Sequence, residues 1–260
     1  MRHPIERRLL AGHLGLVYLF LYGPILVLIV LSFNKSGLPT AWTGFSLEWY
    51  GRMLRNQAIL SSVGNTLIVA SVSTLIATSI GTLLALGIDR LRPSALLEGI
   101  VFVPMIIPDI VLAIALLSFF TLLNVTLGLH SIILSHAVFN IAFVCAVVRT
   151  RLRHFDKSII EASIDLGASE FRTFRRITLP VIFPGVLAGA LLAFTLSVDE
   201  FIIAYFTSGA GSASTTFPMQ IYAMIRFGVT PEINAVATFV LGFSFLLILL
   251  SQRLNRGVTP

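Results

Sequence analysis

Long apolar stretches alternate with short polar ones along this chain. Six of them approach the roughly 20 residues that an α-helix needs to cross a bilayer core. They run over 13–33, 62–86, 98–123, 131–149, 183–206 and 233–252. The pattern predicts an all-α membrane protein with six transmembrane helices, the first of them retained rather than cleaved as a signal peptide. No repeat or low-complexity segment divides the sequence, which predicts a single domain over 1–260.

The basic residues are distributed unevenly between the two sides of these predicted helices. Of 18 Lys and Arg residues, only Lys35, Arg52, Arg55 and Arg226 fall in segments that face outward when both termini lie inside. Because Lys and Arg accumulate in cytoplasmic loops, the sequence predicts cytoplasmic termini. The chain is 56% hydrophobic and only 12% charged, which is typical of a membrane protein. The net charge of +6 therefore reflects membrane orientation and does not indicate nucleic-acid binding.

The sequence lacks the motifs of ATP binding and catalysis. It has no G-x-x-x-x-G-K-[ST] loop, and its only lysines are Lys35 and Lys157. It also has no H-E-x-x-H motif, nucleophile elbow or Cys/His cluster, and its one cysteine, Cys145, lies in a predicted span. We therefore expect no metal and no cofactor in this chain, and no enzymatic activity. Energy for any transport would have to come from a partner or an ion gradient.

Three carboxylates lie inside predicted spans: Asp109, Asp199 and Glu200. A charge near the bilayer centre costs at least about 2.5 kcal/mol, so such groups normally face a bundle interior or a wet cavity. Asp109 follows Pro104 and Pro108, which are one turn apart and should kink the helix. No basic residue is predicted at comparable depth, so the acids would make a pathway favour cations. A second interpretation, in which Asp199 and Glu200 cap or brace neighbouring helices, stays open.

Two further polar features also have two interpretations. His136 and Asn140 share one face of the fourth span, which suits either a substrate contact or, more often, interhelical hydrogen bonds. The first outer segment, 34–61, contains Trp42 and Trp49. Amphipathic aromatic residues favour an interfacial helix at the lipid headgroups, although a role in receiving substrate is the alternative.

The segment 157–180, between the fourth and fifth spans, is polar and rich in arginine. Residues 161–166 suit a short helix, and Gly167 fits the left-handed position just past its end. Ser169 can cap a second helix. The segment therefore predicts two short helices around a glycine turn.

The second of these short helices carries two aromatic residues. Phe171 and Phe174 are three residues apart and share a face. Pro180, directly after Leu179, is predicted to end this helix.

This segment resembles the EAA loop of permease subunits in ATP-binding-cassette (ABC) importers. That pattern is Glu-Ala-Ala, three residues, Gly, nine residues, Ile, one residue, Leu-Pro. Here Ser163 replaces the second alanine, and the remaining positions match at Glu161, Ala162, Gly167, Ile177, Leu179 and Pro180. The resemblance implies the six-helix fold of type I importer permeases. It also implies that the loop, with Phe171 and Phe174, docks into a cleft on a cytoplasmic ATPase.

The resemblance extends over nearly the whole chain. The sequences DLGASEF, LSVDEF and MQIYAMIRFGVTPEINAVAT resemble permeases of spermidine/putrescine importers, in particular the second permease of that system. In that family, acids corresponding to Asp109, Asp199 and Glu200 are implicated in polyamine handling. The family implies a second permease subunit, expected to be a different chain, two copies of an ATPase that hold ATP and Mg, and an extracytoplasmic binding protein. It also implies the bacterial inner membrane.

Two alternative functions are kept at this point. An ABC permease for another small solute would share the EAA-type pattern, which does not report substrate. A gradient-driven carrier would need its own coupling-ion site and often shows inverted repeats. A membrane enzyme is weaker still, because no catalytic constellation is present. Co-purification with a stoichiometric ATPase would separate an ABC importer permease, whatever its solute, from a carrier and from an enzyme.

Overall fold

The structure is a computed structural model that describes residues 4–37, 42–91, 95–226, 228 and 230–256. Both ends of the chain, 1–3 and 257–260, for which a cytoplasmic location was predicted, lie outside these residues. Helices account for most of the described chain, and apart from one isolated bridge between Asn34 and Phe45 no β-pairing occurs in it. The all-α prediction is therefore confirmed.

Twelve α-helices and one π-helical turn are present in the described residues. In chain order they are α1 Pro4–Ser32, α2 Glu48–Met53, α3 Gln57–Leu91, α4 Ala95–Ile106, α5 Asp109–Leu122, α6 Leu129–Arg153, α7 Ser158–Asp165, α8 Glu170–Thr173, the π turn Phe174–Thr178, α9 Leu179–Asp199, α10 Ile202–Thr207, α11 Phe217–Ile225 and α12 Pro231–Arg256. They divide into two compact units, 1–60 with 221–260, and 61–220.

In the first unit, α12 packs against both α1 and α2. The outer segment folds back onto the end of α1: Trp49 Nε1 donates to the carbonyl of Asn34 at 2.8 Å, and Ser32 Oγ lies 2.7 Å from the Tyr50 hydroxyl. The helix in this segment, α2, has only six residues. Trp49 is thus tied to the protein, whereas Trp42 is exposed.

The second unit is organised around α6, which presents one buried row at four-residue spacing. This row comprises His136, Asn140, Val144 and Val148, and each is no more than 1% exposed. Two neighbouring helices face it with rows of small residues at the same spacing. On α3 these are Ser73, Ala77, Gly81 and Ala85; on α9 they are Gly185, Gly189, Ala193 and Ser197, and all eight are buried. Small residues allow membrane helices to approach closely, so dispersion contacts replace the hydrophobic effect that lipid cannot supply.

The glycines of these rows sit against α6 itself. A Cβ atom added to Gly81 would lie 2.8 Å from the carbonyl oxygen of Ile141 and 2.9 Å from Val144 Cβ. A Cβ added to Gly185 would lie 2.9 Å from Arg151 Cβ, and one added to Gly189 would lie 3.3 Å from Val144. The helix spacing therefore depends on the absence of side chains at these positions.

The third predicted span is not one helix. The prediction of a kink in 98–123 is confirmed, but the segment breaks completely into α4 and α5, which meet at 111°. Pro108 cannot donate a backbone hydrogen bond, and it disfavours helical backbone at Ile107. With Pro104 one turn earlier, two consecutive turns lose hydrogen bonds. The chain turns there, and α5 begins at Asp109.

The fifth predicted span, 183–206, is also interrupted. Helix α9 ends at Asp199, Glu200 is extended with ψ 125°, and α10 begins at Ile202. Apolar composition continues across this break, so hydropathy alone could not reveal it.

In the part of the chain that the structure describes, four apolar helices are long enough to cross a membrane: Leu9–Ser32, Gln57–Leu91, Leu129–Arg153 and Glu170–Asp199. The bent pair α4 and α5 supplies a fifth when it is counted as one span. The sixth predicted span, 233–252, lies on α12. Three of the six predicted segments fall on an unbroken helix of this length, within one residue at their ends: 13–33, 62–86 and 131–149. The segment 183–206 starts on the fourth such helix and continues past its end at Asp199, and 98–123 corresponds to the bent pair.

Gly81→Ala should destabilise the second unit, because the new methyl group has no room against the α6 backbone. Overpacking of this kind costs about 1–3 kcal/mol. Gly87→Ala on the same helix is the matched control, since nothing lies within 4 Å of its added Cβ. Thermal unfolding of the detergent-solubilised protein should show a lower midpoint for Gly81→Ala only. Equal midpoints for the two variants would contradict the close-packing interpretation.

Candidate functional site

One cavity of about 520 Å³ in the second unit brings the three predicted acids together. Its wall combines carboxylates with aromatic and aliphatic side chains and one hydroxyl. The lining residues are Pro104, Met105, Asp109, Phe139, Phe143, Thr195, Leu196, Asp199, Glu200, Phe201, Ile202 and Ile203. None of these residues is Lys, Arg or His. Residues 90 positions apart in sequence therefore share one negatively biased, partly apolar space.

All three acids lie at the helix breaks, and this explains how they reach the cavity. Asp109 is in the first turn of α5, where the free N–H groups and the helix dipole favour a carboxylate. Asp199 is the last residue of α9, where unpaired carbonyl oxygens favour a cation nearby. Both side chains are exposed to the cavity rather than packed among helices. The two helix breaks therefore place free backbone N–H groups of α5 and carbonyl oxygens of α9 near the same cavity as the carboxylates.

Glu200 differs from the other two acids because its oxygens are already engaged. Oε1 accepts the N–H of Ile203 at 2.8 Å, and Oε2 accepts the N–H of Ala204 at 2.9 Å. Glu200 therefore caps α10, which was one of the two interpretations left open, and it also lines the cavity. Its side chain is only 10% exposed.

His136 is a partner of Glu200 that the sequence did not reveal. Its Nε2 lies 3.3 Å from Glu200 Oε2, and its Nδ1 lies 2.6 Å from Ser197 Oγ. The expectation that no basic side chain lies at comparable depth was therefore wrong in this respect. The antiparallel course of α6 and α9 was a usable indication, because it places the first third of α6 beside the last third of α9. The interhelical role considered for His136 is confirmed.

Asn140, one turn below His136, is completely buried, and neither atom of its amide has a hydrogen-bond partner among the described residues. Neither interpretation of this residue, as a substrate contact or as an interhelical hydrogen bond, finds a contact to support it. In the part of the chain that the structure describes, no group of three or more His, Cys, Asp and Glu residues is arranged to hold a metal ion.

The segment 157–180 contains the predicted glycine turn between two helices. Helix α7 ends before Gly167, whose φ is +83°. The N–H of Gly167 donates to Ile164 O at 2.8 Å, and the N–H of Ala168 donates to Ser163 O at 3.1 Å. This pair of bonds is the Schellman arrangement, which satisfies the last carbonyls of a helix. Ser169 then caps the next helix through the N–H of Arg172, as predicted.

The start of α7 is fixed by a carboxylate outside the membrane-spanning segments. Asp156 Oδ1 accepts the N–H of Ser158 at 3.0 Å. Hydrogen bonds from the backbone and hydroxyl of Ser158 hold the pKa of Asp156 below its usual value.

Pro180 does not end the second helix, so that prediction was wrong. Helical structure is continuous from Glu170 to Asp199, through the π turn and into α9. In the π turn the N–H of Leu179 reaches the carbonyl of Phe174, five residues back. The wider π turn changes the backbone hydrogen-bond pattern just before Pro180, so the proline ring does not interrupt the helix there. Proline is also tolerated in the first turn of a helix, and α9 begins at Leu179. Ile177 and Leu179 consequently belong to the same rod as the membrane span.

The surface of this segment offers an apolar groove. A space of about 490 Å³ is lined by Ile159, Ala162, Ser163, Leu166, Ala168, Arg172, Arg176 and Ile177. Ser163 Oγ, at the edge of this groove, lies 2.9 Å from Thr173 Oγ1, and this hydrogen bond joins α7 to α8. Phe171 is 71% exposed and Phe174 is half-buried, while Glu161 is exposed. The two aromatic residues are therefore not equivalent, and only Phe171 projects fully from the chain.

Two ion pairs connect the segment to the end of α3. Lys157 Nζ lies 2.9 Å from Asp89 Oδ2, and Arg90 Nη2 lies 2.9 Å from Glu170 Oε2. Exposed pairs of this kind contribute at most about 1 kcal/mol each. They orient the segment more than they stabilise it.

Residues 77–260 match the family described as "binding-protein-dependent transport system inner membrane component". The chain belongs to this family, and it is therefore a membrane transport component rather than an enzyme.

Individual relatives cover almost the entire chain. It is 41% identical over 257 residues to the spermidine/putrescine transport system permease protein PotC of Escherichia coli (strain K12), covering 98% of this chain and 97% of the relative. It is 42% identical over 234 residues to the putrescine transport system permease protein PotI of the same organism, covering 86% and 83%.

Solved structures give the same fold at lower identity. A bacterial ABC transporter involved in the import of the acidic polysaccharide alginate aligns with a TM-score of 0.76 at 17% identity, covering 98% of this chain and 96% of that one. The MetNI methionine ABC transporter aligns with a TM-score of 0.60 at 20% identity, covering 83% and 100%. The type I ABC importer permease fold predicted from the sequence is thereby confirmed.

Gly167→Val should reduce transport without preventing membrane insertion. A β-branched residue at φ +83° is strained, typically by about 1–3 kcal/mol, so the turn between α7 and α8 would rearrange. Gly167→Asn is the matched control, because asparagine adopts left-handed backbone more readily. Uptake normalised to the amount of inserted protein is the measurement. Normal uptake by Gly167→Val would show that the turn geometry is not needed.

Proposed function

We propose that this permease forms part of the pathway through which an ATP-driven importer moves a polyamine such as spermidine or putrescine. The observation that carries the proposal is the cavity that joins Asp109, Asp199 and Glu200 without a lining Lys, Arg or His. Carboxylates in a membrane cavity with no cation beside them in the wall favour a cationic solute.

The chemistry of a polyamine matches the rest of the cavity wall. A polyamine carries ammonium groups separated by methylene chains, so it needs alternating acidic and apolar contacts. Asp109 and Asp199 are exposed to the cavity, whereas Phe139, Phe143 and Phe201 offer aromatic surface for methylenes and ammonium groups. Glu200 adds negative charge although its oxygens are engaged by α10. Contacts in such a pathway should be weak, because a tightly held cargo would not be released.

The relatives support this assignment of substrate. Both PotC and PotI carry names that refer to spermidine or putrescine transport, and the alignment with PotC extends over nearly the whole of both chains. A permease for a different small solute is the competing possibility, and the uptake experiment below distinguishes it.

The proposed complex contains a second permease subunit of different sequence, an extracytoplasmic binding protein and two copies of a cytoplasmic ATPase that bind ATP and Mg. The chain itself has no phosphate-binding loop, so in an ATP-driven importer the energy would enter through a partner. The segment 157–180 is the proposed contact, with Glu161, Ala162, Ser163 and Gly167 forming its first helix and turn. Its groove and the projecting Phe171 suit a protein partner better than water.

In the proposed orientation the chain lies in the bacterial inner membrane with both termini and the segment 157–180 in the cytoplasm. The distribution of Lys and Arg supports this orientation.

Neutral replacement of the three cavity acids should lower polyamine uptake. The variants are Asp109→Asn, Asp199→Asn, Glu200→Gln and the triple, each of which removes charge while keeping shape. Uptake of labelled spermidine and putrescine is measured in cells that lack other polyamine importers and express the whole complex. We expect a several-fold loss for Asp109→Asn and Asp199→Asn and a larger loss for the triple.

The control for this experiment is Glu48→Gln, which neutralises an exposed carboxylate paired with Arg52 in the outer segment. Its uptake should match the unaltered protein. Wild-type uptake by the triple variant would assign the acids to helix packing, and lost assembly would identify them as braces. Failure of the unaltered complex to import either polyamine would favour another solute.

Orientation can be tested by labelling single cysteines in intact cells with an impermeant thiol reagent. Ser212→Cys lies in the exposed loop between α10 and α11, and His154→Cys lies in the exposed loop between α6 and α7. We expect labelling at position 212 before permeabilisation and at position 154 only afterwards. Cys145 is buried and should stay silent in both cases. The reverse pattern would overturn the proposed topology.

A further inference from the structure

A chain of polar side chains crosses three helices just behind the cavity. Ser73 Oγ on α3 lies 3.2 Å from Ser197 Oγ on α9, and Ser197 Oγ lies 2.6 Å from His136 Nδ1 on α6. On its other side, His136 Nε2 lies 3.3 Å from Glu200 Oε2. Ser73, Ser197 and His136 are each at most 2% exposed, so water does not compete for the contacts among these three side chains.

The direction of the hydrogen bonds follows from what each group can donate. A carboxylate only accepts, so His136 faces Glu200 with Nε2 protonated. In that tautomer Nδ1 is an acceptor, and the Ser197 hydroxyl donates to it. Ser73 can donate in turn to Ser197. The approach of His136 Nε2 to Glu200 Oε2 is a close polar contact without hydrogen-bond geometry, because Nε2 has no hydrogen-bond partner among the described residues. The two hydrogen bonds that Glu200 accepts come from α10.

Glu200 also occupies a critical place in the backbone. It is the extended residue between α9 and α10, and it follows Asp199 directly. Its side chain holds the first turn of α10, and His136 approaches that side chain from α6. The position of the break, and of the two neighbouring carboxylates, is therefore tied to α6 through one imidazole ring.

We propose that His136 is a positioning residue for transport: it holds Glu200 at the break between α9 and α10 and so fixes Asp199 and Glu200 in the cavity. It does not line the cavity itself. The role in transport rests on the proposed function, whereas the effect on the break does not.

A plain packing role explains less of what surrounds His136. Further along the same row of α6, Val144 and Val148 pack against small residues that carry no polar side chain. At the level of His136, by contrast, both facing helices present serines, and the ring spans from a serine to a carboxylate. A space-filling role would require neither the hydrogen bond of Nδ1 with Ser197 nor the approach of Nε2 to a carboxylate.

Two substitutions separate the two nitrogens. In His136→Gln the longer amide can place an N–H beside Glu200 at the position of Nε2, but it loses the acceptor at the position of Nδ1. In His136→Asn the shorter amide keeps the contact with Ser197 and cannot reach Glu200. We expect spermidine uptake, normalised to assembled complex, to stay within about twofold of the unaltered protein for the first and to fall about tenfold for the second. Equal loss in both variants, or the opposite order, would overturn the proposal.

A second measurement tests whether His136 acts through Glu200. If it does, the double variant His136→Asn with Glu200→Gln should transport no worse than Glu200→Gln alone. Two independent roles would multiply their losses instead, and this outcome would count against positioning.

A third measurement does not depend on the transported solute. Tyr205 is exposed on α10, so Tyr205→Cys reports on this helix through its rate of reaction with a thiol reagent. His136→Asn should change this rate at least several-fold, and His136→Gln should not. If the rate changes but polyamine uptake is absent even in the unaltered complex, the positioning of α10 stands while the substrate assignment fails. If the rate is the same in all three proteins, the proposal is wrong.

Discussion

The close approach of α6 to α3 and α9 is the constraint on which the second unit depends. Within a membrane, apolar side chains gain little from leaving lipid, so helices associate through tight contact and hydrogen bonds. Here, glycines provide that contact at Gly81, Gly185 and Gly189, and serines replace them where the row reaches His136. One set of small residues therefore sets the helix spacing and also creates the polar chain behind the cavity.

The positions of the broken helices are explained by the need of backbone N–H and C=O groups for hydrogen-bond partners. Unpaired N–H and C=O groups are not tolerated against lipid, but they are tolerated where they line a cavity. At α4 and α5 two prolines cause the break, and at α9 and α10 the extended Glu200 causes it and then caps the next helix with its own carboxylate. The breaks and the acids therefore belong together, because the backbone that loses its regular partners is the backbone that faces the cavity.

Much of this arrangement could be predicted from sequence because it depends on local chemistry. Apolar length predicted the spans, two prolines predicted the disruption before Asp109, and a single glycine predicted the left-handed turn at Gly167. What was missed depends on contacts between distant helices or on small backbone adjustments. The pairing of His136 with Glu200 requires the register of α6 against α9. The helix continues through Pro180 because of a π turn, and residue preferences do not predict such a turn.

That π turn has a mechanical consequence. Because it preserves hydrogen bonding where a proline would be expected to stop the helix, 30 residues from Glu170 to Asp199 form one rod. At 1.5 Å per residue the rod is about 45 Å long, with the apolar groove beside one end and a cavity carboxylate at the other. A tilt of about 10° at the groove end would displace the carboxylate end by roughly 8 Å, more than the width of an ammonium group. Small angular movements at the protein surface are therefore magnified into distances that matter for a solute.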